Sequence, residues 1–168
     1  MECSIFTTPR LSIRKLKPSD LSEYHKMVSN PKVMLHVKAP LNYEESKAEL
    51  LKFISYYSAK IFYNIWAVTR VEDEYLIGIC GVYKNQNEEN EIAYRLLESY
   101  WGNGFGKEIA TYLISYCTNT LHLSELVAYA YSENIGSIKI LENKMNFVSE
   151  FQSPKTGVFE KKFVLNTK

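Results

Sequence analysis

A chain of 168 residues with 20 Lys and Arg against 19 Asp and Glu has a formal charge of +1, so no global field steers it to nucleic acid or to a membrane surface. With 46% apolar and 23% charged residues it has a globular composition, and its length suits one domain burying roughly 70% of the unfolded surface without disulfides or a structural metal. Cys3, Cys80 and Cys117 are odd in number and form no C-x-x-C pair, which fits a reducing cytoplasm. His25, His36 and His122 stand too far apart for a metal-ligand cluster, Met1 to Pro9 lacks the pattern of a secretory signal, and no apolar run has the length of a membrane helix.

Hydrophobic periodicity then orders the elements. Leu11 to Arg14 alternates as a first strand. Ser19 and Asp20 open a helix with Leu21, Tyr24 and Val28 on one face, which the pattern ends before Pro31. Asn42, followed three residues later by Glu45, is a capping pair for a second helix running to about Tyr57. Residues 64–71, 75–83 and 91–97 read as three strands joined by short polar connections, an antiparallel meander. A helix carrying Ile109, Tyr112, Leu113 and Tyr116 follows, then a strand from Leu126 to Tyr131, a short helix from Ser137 to about Lys144, and a closing hairpin of residues 147–151 and 158–165. The expected fold is α+β, or mixed α/β, around one sheet, with the strands on either side of the long helix parallel.

Trp101-Gly102-Asn103-Gly104-Phe105-Gly106-Lys107, between a strand and a helix, is the most informative stretch. Glycines permit positive φ and close backbone approach, and a helix N-terminus offers unpaired N–H groups at the positive end of its dipole. Together they suit a phosphate or pyrophosphate, although three glycines can also simply turn the chain. Glu108 follows Gly106-Lys107 where a P-loop needs Ser or Thr, and the G-x-G-x-G spacing after a meander is not the dinucleotide fingerprint.

These residues resemble the GNAT superfamily of acetyl-CoA-dependent N-acetyltransferases, in particular its RimJ/RimL-like branch, related to the enzymes that acetylate ribosomal-protein N-termini. Tyr100-Trp101-Gly102-Asn103-Gly104-Phe105-Gly106 is similar to that branch's pyrophosphate loop, Asn134-x-x-Ser137-x-x-x-Leu141-Glu142 to its second motif, and Thr8-Pro9-Arg10-Leu11 with Arg14 and Asp20 to its opening strand and helix. Asn146 stands where the family has Gly, and as the next best left-handed residue it is expected to keep the turn.

The resemblance implies one N-acetyltransferase domain over residues 1–168, with GNAT-like central sheet and flanking helices, that moves an acetyl group directly from acetyl-CoA to a primary amine on a protein N-terminus or a small molecule. Carried over by position, Leu96 and Leu97 meet the pantetheine through main chain. Trp101, Gly102, Asn103, Gly104, Phe105, Gly106 and Lys107 wrap the pyrophosphate. Asn134 touches the pantetheine arm, Lys139 is a weaker phosphate candidate, and Ser137 is the proton donor to the departing thiolate. Both Asn134 and Ser137 also suit plain helix capping. An amine with pKa near 8 to 10 needs a base, for which Glu91 at the start of the strand before the loop is the first candidate and Glu160 the second. Tyr94, Tyr129 and Tyr131 suit packing as well as a site. Residues 71–98 carry 2 basic and 7 acidic groups, a local bias that favours a cationic acceptor. A non-catalytic acyl-CoA-binding or regulatory module is the alternative reading, and the closing hairpin offers an edge for a homodimer.

Overall fold

Residues 3–167 are described by a computed structural model of the chain. They run through β1 (Phe6–Thr7), β2 (Leu11–Lys15), α1 (Leu21–Val28), α2 (Pro31–Met34), α3 (Tyr43–Tyr56), β3 (Tyr63–Arg70), β4 (Leu76–Lys84), β5 (Asn90–Leu96), α4 (Phe105–Asn119), β6 (Glu125–Tyr131), α5 (Ile135–Glu142), β7 (Asn146–Gln152) and β8 (Phe159–Asn166). The eight strands form one mixed sheet in the order β1-β2-β3-β4-β5-β6-β8-β7. The meander β3-β4-β5 is antiparallel, β6 lies parallel to β5, and β8 turns back antiparallel between β6 and β7.

Helices on both faces explain why β3 and β4 are nearly continuous apolar runs. Trp66, Val68, Cys80 and Val82 face α4 and α5, where they pack with Ile109, Leu113, Leu141 and Phe163. Ile65, Ala67 and Ile79 face α1–α3, where they pack with Tyr24, Met27, Val28 and Leu50. The Asn42–Glu45 capping box forms as the spacing predicts: Glu45 N–H donates to Asn42 Oδ1 at 2.9 Å and Asn42 N–H to the Glu45 carboxylate at 2.8 Å.

The first helix ends at Val28, before Pro31, as the pattern predicts; Pro31 then starts α2, which the pattern does not give, as its first residue, where a missing N–H costs nothing, and Asn30 Oδ1 caps the turn at Lys32 N–H, 2.9 Å away. Two local expectations are corrected. Asp20 does not cap α1; its buried carboxylate takes both Arg14 nitrogens at 2.8 and 2.9 Å and Lys17 N–H at 2.9 Å. Asn146 opens β7 and is not left-handed, because the chain leaves α5 through N–H bonds from Lys144 and Met145 to the Leu141 carbonyl. β1 is too short for its alternation to register in the sequence.

Candidate active site

β5 and β6 pair at a single register position, Glu91↔Val127, and then diverge. Because Leu97 N–H donates to the Ile77 carbonyl at 2.8 Å and an antiparallel ladder alternates, Arg95, Ala93 and Glu91 turn their main-chain groups toward β4, while Leu96, Tyr94 and Ile92 turn theirs toward β6. Past Ile92 no strand meets them. Tyr94 and Leu96 are therefore the open edge of β5. Leu97 spends its N–H on Ile77 and its carbonyl on Tyr100 N–H at 3.0 Å, and the Leu96 carbonyl already accepts the Trp101 indole N–H at 3.1 Å.

At the wide end of this gap lies the glycine loop. Gly102 (φ 74°) and Gly104 (φ 78°) are left-handed, a conformation that side chains with a Cβ rarely adopt. Gly104 is the N-cap of α4 and offers no capping side chain. Among the described residues nothing accepts from the N–H groups of Phe105, Gly106 or Lys107, so a 15-residue helix presents its positive end bare to the loop. Gly106 has a different role: it is inside the helix, and a Cβ there would stand 3.1 Å from Ile140 Cδ1, so it sets the approach of α4 to α5. Asn103 Nδ2 folds back on the Trp101 carbonyl at 3.0 Å, and Lys107 is exposed.

A brace that sequence reasoning missed holds the loop. The Arg10 guanidinium donates to Glu108 Oε2 at 2.7 Å and to the Asn103 carbonyl at 3.0 Å, and lies over the Phe105 ring, 4.2 Å from its centroid. Glu108 also accepts Arg10 N–H at 3.0 Å and the Thr8 hydroxyl at 2.5 Å. Burial pushes the Glu108 carboxyl up, but the Thr8 and Arg10 donors outweigh it and hold it low. Thr8 and Arg10 are within the stretch that resembles the family's opening; their partner, 100 and 98 residues away, has no signal in the sequence.

Side-chain alternation divides the site between the two faces of the sheet. On the α4/α5 side, Ser137 Oγ is 3.3 Å from the Tyr94 hydroxyl. Burial raises the Tyr94 phenol and the Ser137 contact partly offsets this, so Tyr94 stays protonated. Asn134 is the N-cap of α5: its Oδ1 accepts Ser137 N–H at 3.3 Å. Lys139 is exposed on α5.

Glu91 stands on the opposite, α1–α3 side, where its carboxylate accepts the Tyr83 hydroxyl at 2.9 Å and Asn85 Nδ2 at 3.1 Å. Burial raises its pKa and the neighbouring Glu89 and Glu160 add to that, against the opposing effect of the two hydrogen bonds. Burial raises Glu160 as well. Glu89 accepts the Tyr129 hydroxyl at 2.6 Å and pairs with Lys162. Ser137 and Glu91 are thus not neighbours on one surface but lie on either side of the gap. The acidic block of residues 71–98 is also split, since Leu76 starts β4 at the Leu96 end while Tyr83 pairs with Glu91 at the other. Arg70 neutralises Glu72 and Asp73 at the far turn.

A gap in a mixed sheet whose wide end meets an uncapped helix N-terminus, with a polar pair on one face and a half-buried carboxylate on the other, is an arrangement suited to acyl transfer from a phosphate-bearing donor. The Acetyltransferase (GNAT) domain family matches residues 10–144, and the chain belongs to this acetyltransferase family. The N-acetyltransferase p20 of Bacillus licheniformis is 30% identical over 146 residues, covering 85% of this chain and 82% of p20. An acetyltransferase of the GNAT family from Bacillus anthracis shares the fold with a TM-score of 0.84 at 21% identity, over 95% and 96% of the two chains. RimL, the ribosomal L7/L12 alpha-N-protein acetyltransferase in complex with coenzyme A, has a TM-score of 0.81 at 15% identity over 98% of each chain. Among the described residues no group of His, Cys, Asp and Glu is arranged to hold a metal, and no helix is long and apolar enough to cross a membrane.

Proposed function

We propose that the chain transfers an acetyl group from acetyl-CoA to a primary amine, with the donor lying through the β5–β6 gap. The observation carrying this reading is the bare N-terminus of α4 behind two left-handed glycines, which opens onto the unpaired edge of β5. Its N–H groups suit a pyrophosphate, and Tyr94 and Leu96 offer main-chain groups to the amides of a pantetheine arm. Asn134, whose Oδ1 caps α5, keeps its Nδ2 for the other side of that arm.

Bound acetyl-CoA supplies an activated acetyl group and a thiolate that leaves. Glu91 removes the proton of the incoming ammonium, directly or through one water, and its raised pKa makes it a stronger base than an exposed glutamate. The Tyr94–Ser137 pair provides hydroxyl protons for the sulfur. The exposed Phe147, Val148 and Phe159 on the closing hairpin suit pairing with a second copy. The likeness to RimL supports a protein N-terminus among the acceptors to be tried.

Calorimetric titration with coenzyme A tests the donor site. The wild type binds and Gly104→Glu, which brings a carboxylate and a Cβ to a left-handed cap, loses roughly 100-fold in affinity. Equal affinity of the two proteins removes the loop as the pyrophosphate site. Thiol release with a panel of peptides and small amines tests the transfer itself.

A further inference from the structure

Arg95 is without a role in the account so far. On β5 it pairs with Ile79 of β4 and its side chain projects to the α1–α3 face, the same face as Glu91, four residues earlier. Its side chain is half-buried; burial pulls its pKa down, and the nearby Tyr24, Glu49 and Tyr83 oppose that. Among the described residues its guanidinium has no hydrogen bond or ion pair, and its nitrogens still reach solvent.

Glu49, whose charge reaches Arg95, and the carboxylates at the Glu91 end of the strand already have partners. Glu49 accepts the Tyr24 hydroxyl at 2.6 Å and pairs with Lys38, Glu91 is held by Tyr83 and Asn85, and Glu89 by Lys162 and Tyr129. A guanidinium has five N–H donors and no acceptor, and in a half-buried position without a protein partner a carboxylate or phosphate is the group it suits best. Tyr131 stands level with Arg95 across the gap, each four residues on from the Glu91↔Val127 pair. Tyr131 of β6 donates to the Val37 carbonyl at 3.4 Å and meets the His36 ring edge-on, 6.1 Å between centroids, so the α2–α3 connection is tied to β6 across the mouth of the gap.

We infer that the acceptor carries a carboxylate close to its reactive amine, and that Arg95 receives this carboxylate while Glu91 receives the amine. The inference rests on the acetyl-transfer reading above and names the substrate class of the same site. A charge-assisted, bidentate contact fixes orientation as well as affinity, so it turns the amine toward the sheet gap instead of merely holding the molecule. The Tyr83 hydroxyl couples the two electrostatically: it donates to Glu91 at 2.9 Å, and the Arg95 charge opposes the rise in its pKa that burial and Glu91 cause. Two sources supply such chemistry: a free amino acid and a peptide N-terminus with an acidic residue close behind it.

The test is thiol release from acetyl-CoA with matched acceptors: α-amino acids against their amides, and tripeptides with Asp or Glu in the second or third position against Asn or Gln. The wild type should favour the acidic member of at least one set by roughly 10- to 100-fold in kcat/KM, the range of a hydrogen-bonded charge, and the set that responds identifies the source. Arg95→Gln should abolish that preference while leaving the rate with the neutral members within about threefold, and Arg95→Lys should restore part of it. Equal rates for both members of every set in the wild type overturn the inference, as does a preference that survives in a folded Arg95→Gln protein. If Arg95→Gln does not fold, the wild-type comparison decides alone. No thiol release with any acceptor overturns the acetyl-transfer reading itself, a result distinct from turnover without preference.

Discussion

Glu89 ties the β4–β5 turn to β6 and β8 at the closed end of the gap, and replacing it with Gln should loosen that joint measurably. Its carboxylate accepts the Tyr129 hydroxyl at 2.6 Å and Asn85 Nδ2 at 2.9 Å and pairs with Lys162. Burial on its own raises this carboxyl; the three donors outweigh it and bring it from an ordinary 4.5 down to about 2. At about 1.4 kcal/mol per pH unit this is worth about 3 kcal/mol. With the Lys162 and Glu89 side chains 24% and 18% exposed, screening leaves an expected contribution of about 2–3 kcal/mol. The folded-state value is the lower one, so the unfolded chain binds the extra proton. The stability is complete above the ordinary 4.5 and drains away as pH falls through about 2. Glu89→Gln should therefore lose about 2–3 kcal/mol at pH 7, roughly 5–10 °C in Tm, and show a flatter acid limb than the wild type in urea unfolding between about pH 6 and 3. Parallel pH dependences for the two proteins would refute the assigned role.

Three further outcomes follow from particular contacts. Gly81→Ala puts a Cβ 2.0 Å from the Asn64 carbonyl oxygen in the middle of the β3–β4 pair, a backbone clash that should cost about 3 kcal/mol in urea unfolding; a loss under about 1 kcal/mol contradicts that packing. Ser137→Ala should lower kcat about 10²-fold at pH 7 and recover above about pH 8.5, where a thiol leaves unassisted as thiolate, with a smaller defect for Tyr94→Phe; a defect independent of pH removes the pair as proton source. Arg95→Met, which exchanges a half-buried charge without a protein partner for an apolar chain of similar length, should raise the ligand-free Tm by roughly 2–4 °C per kcal/mol released, and a lowered Tm shows that the guanidinium is satisfied in the folded chain.

What the sequence reveals is what nearest neighbours along the chain decide. The capping box at Asn42, the glycines at 102 and 104 and the parallel crossover between β5 and β6 are all written in residues a few positions apart, or in one strand–helix–strand length. Pro31 marks the end of α1 correctly and conceals α2, because the same missing N–H that ends one helix suits the first turn of the next. The partners that make the site are long-range. Arg10 finds Glu108, Glu89 finds Lys162 and Tyr94 finds Ser137 only once the sheet is assembled. Glu91 could be picked out as a strand-initial carboxylate, but its half-buried setting beside Tyr83 and its place on the face opposite Ser137 come from the assembly of the sheet. Arg95 reads in sequence as an ordinary strand charge, since nothing local records that the surrounding carboxylates are already taken.

The most direct test of the account is the pH dependence of kcat/KM for one amine acceptor in the wild type and in Glu91→Gln. Glu91 acts only when deprotonated, and burial with its acidic neighbours raises its pKa. The wild type should lose activity on the acid side as pH falls through a value above the ordinary carboxylate range. Glu91→Gln should lose about 10²-fold at neutral pH and lack that limb, keeping only the titration of the amine itself. An acid limb that persists unchanged in Glu91→Gln contradicts the assignment of the base.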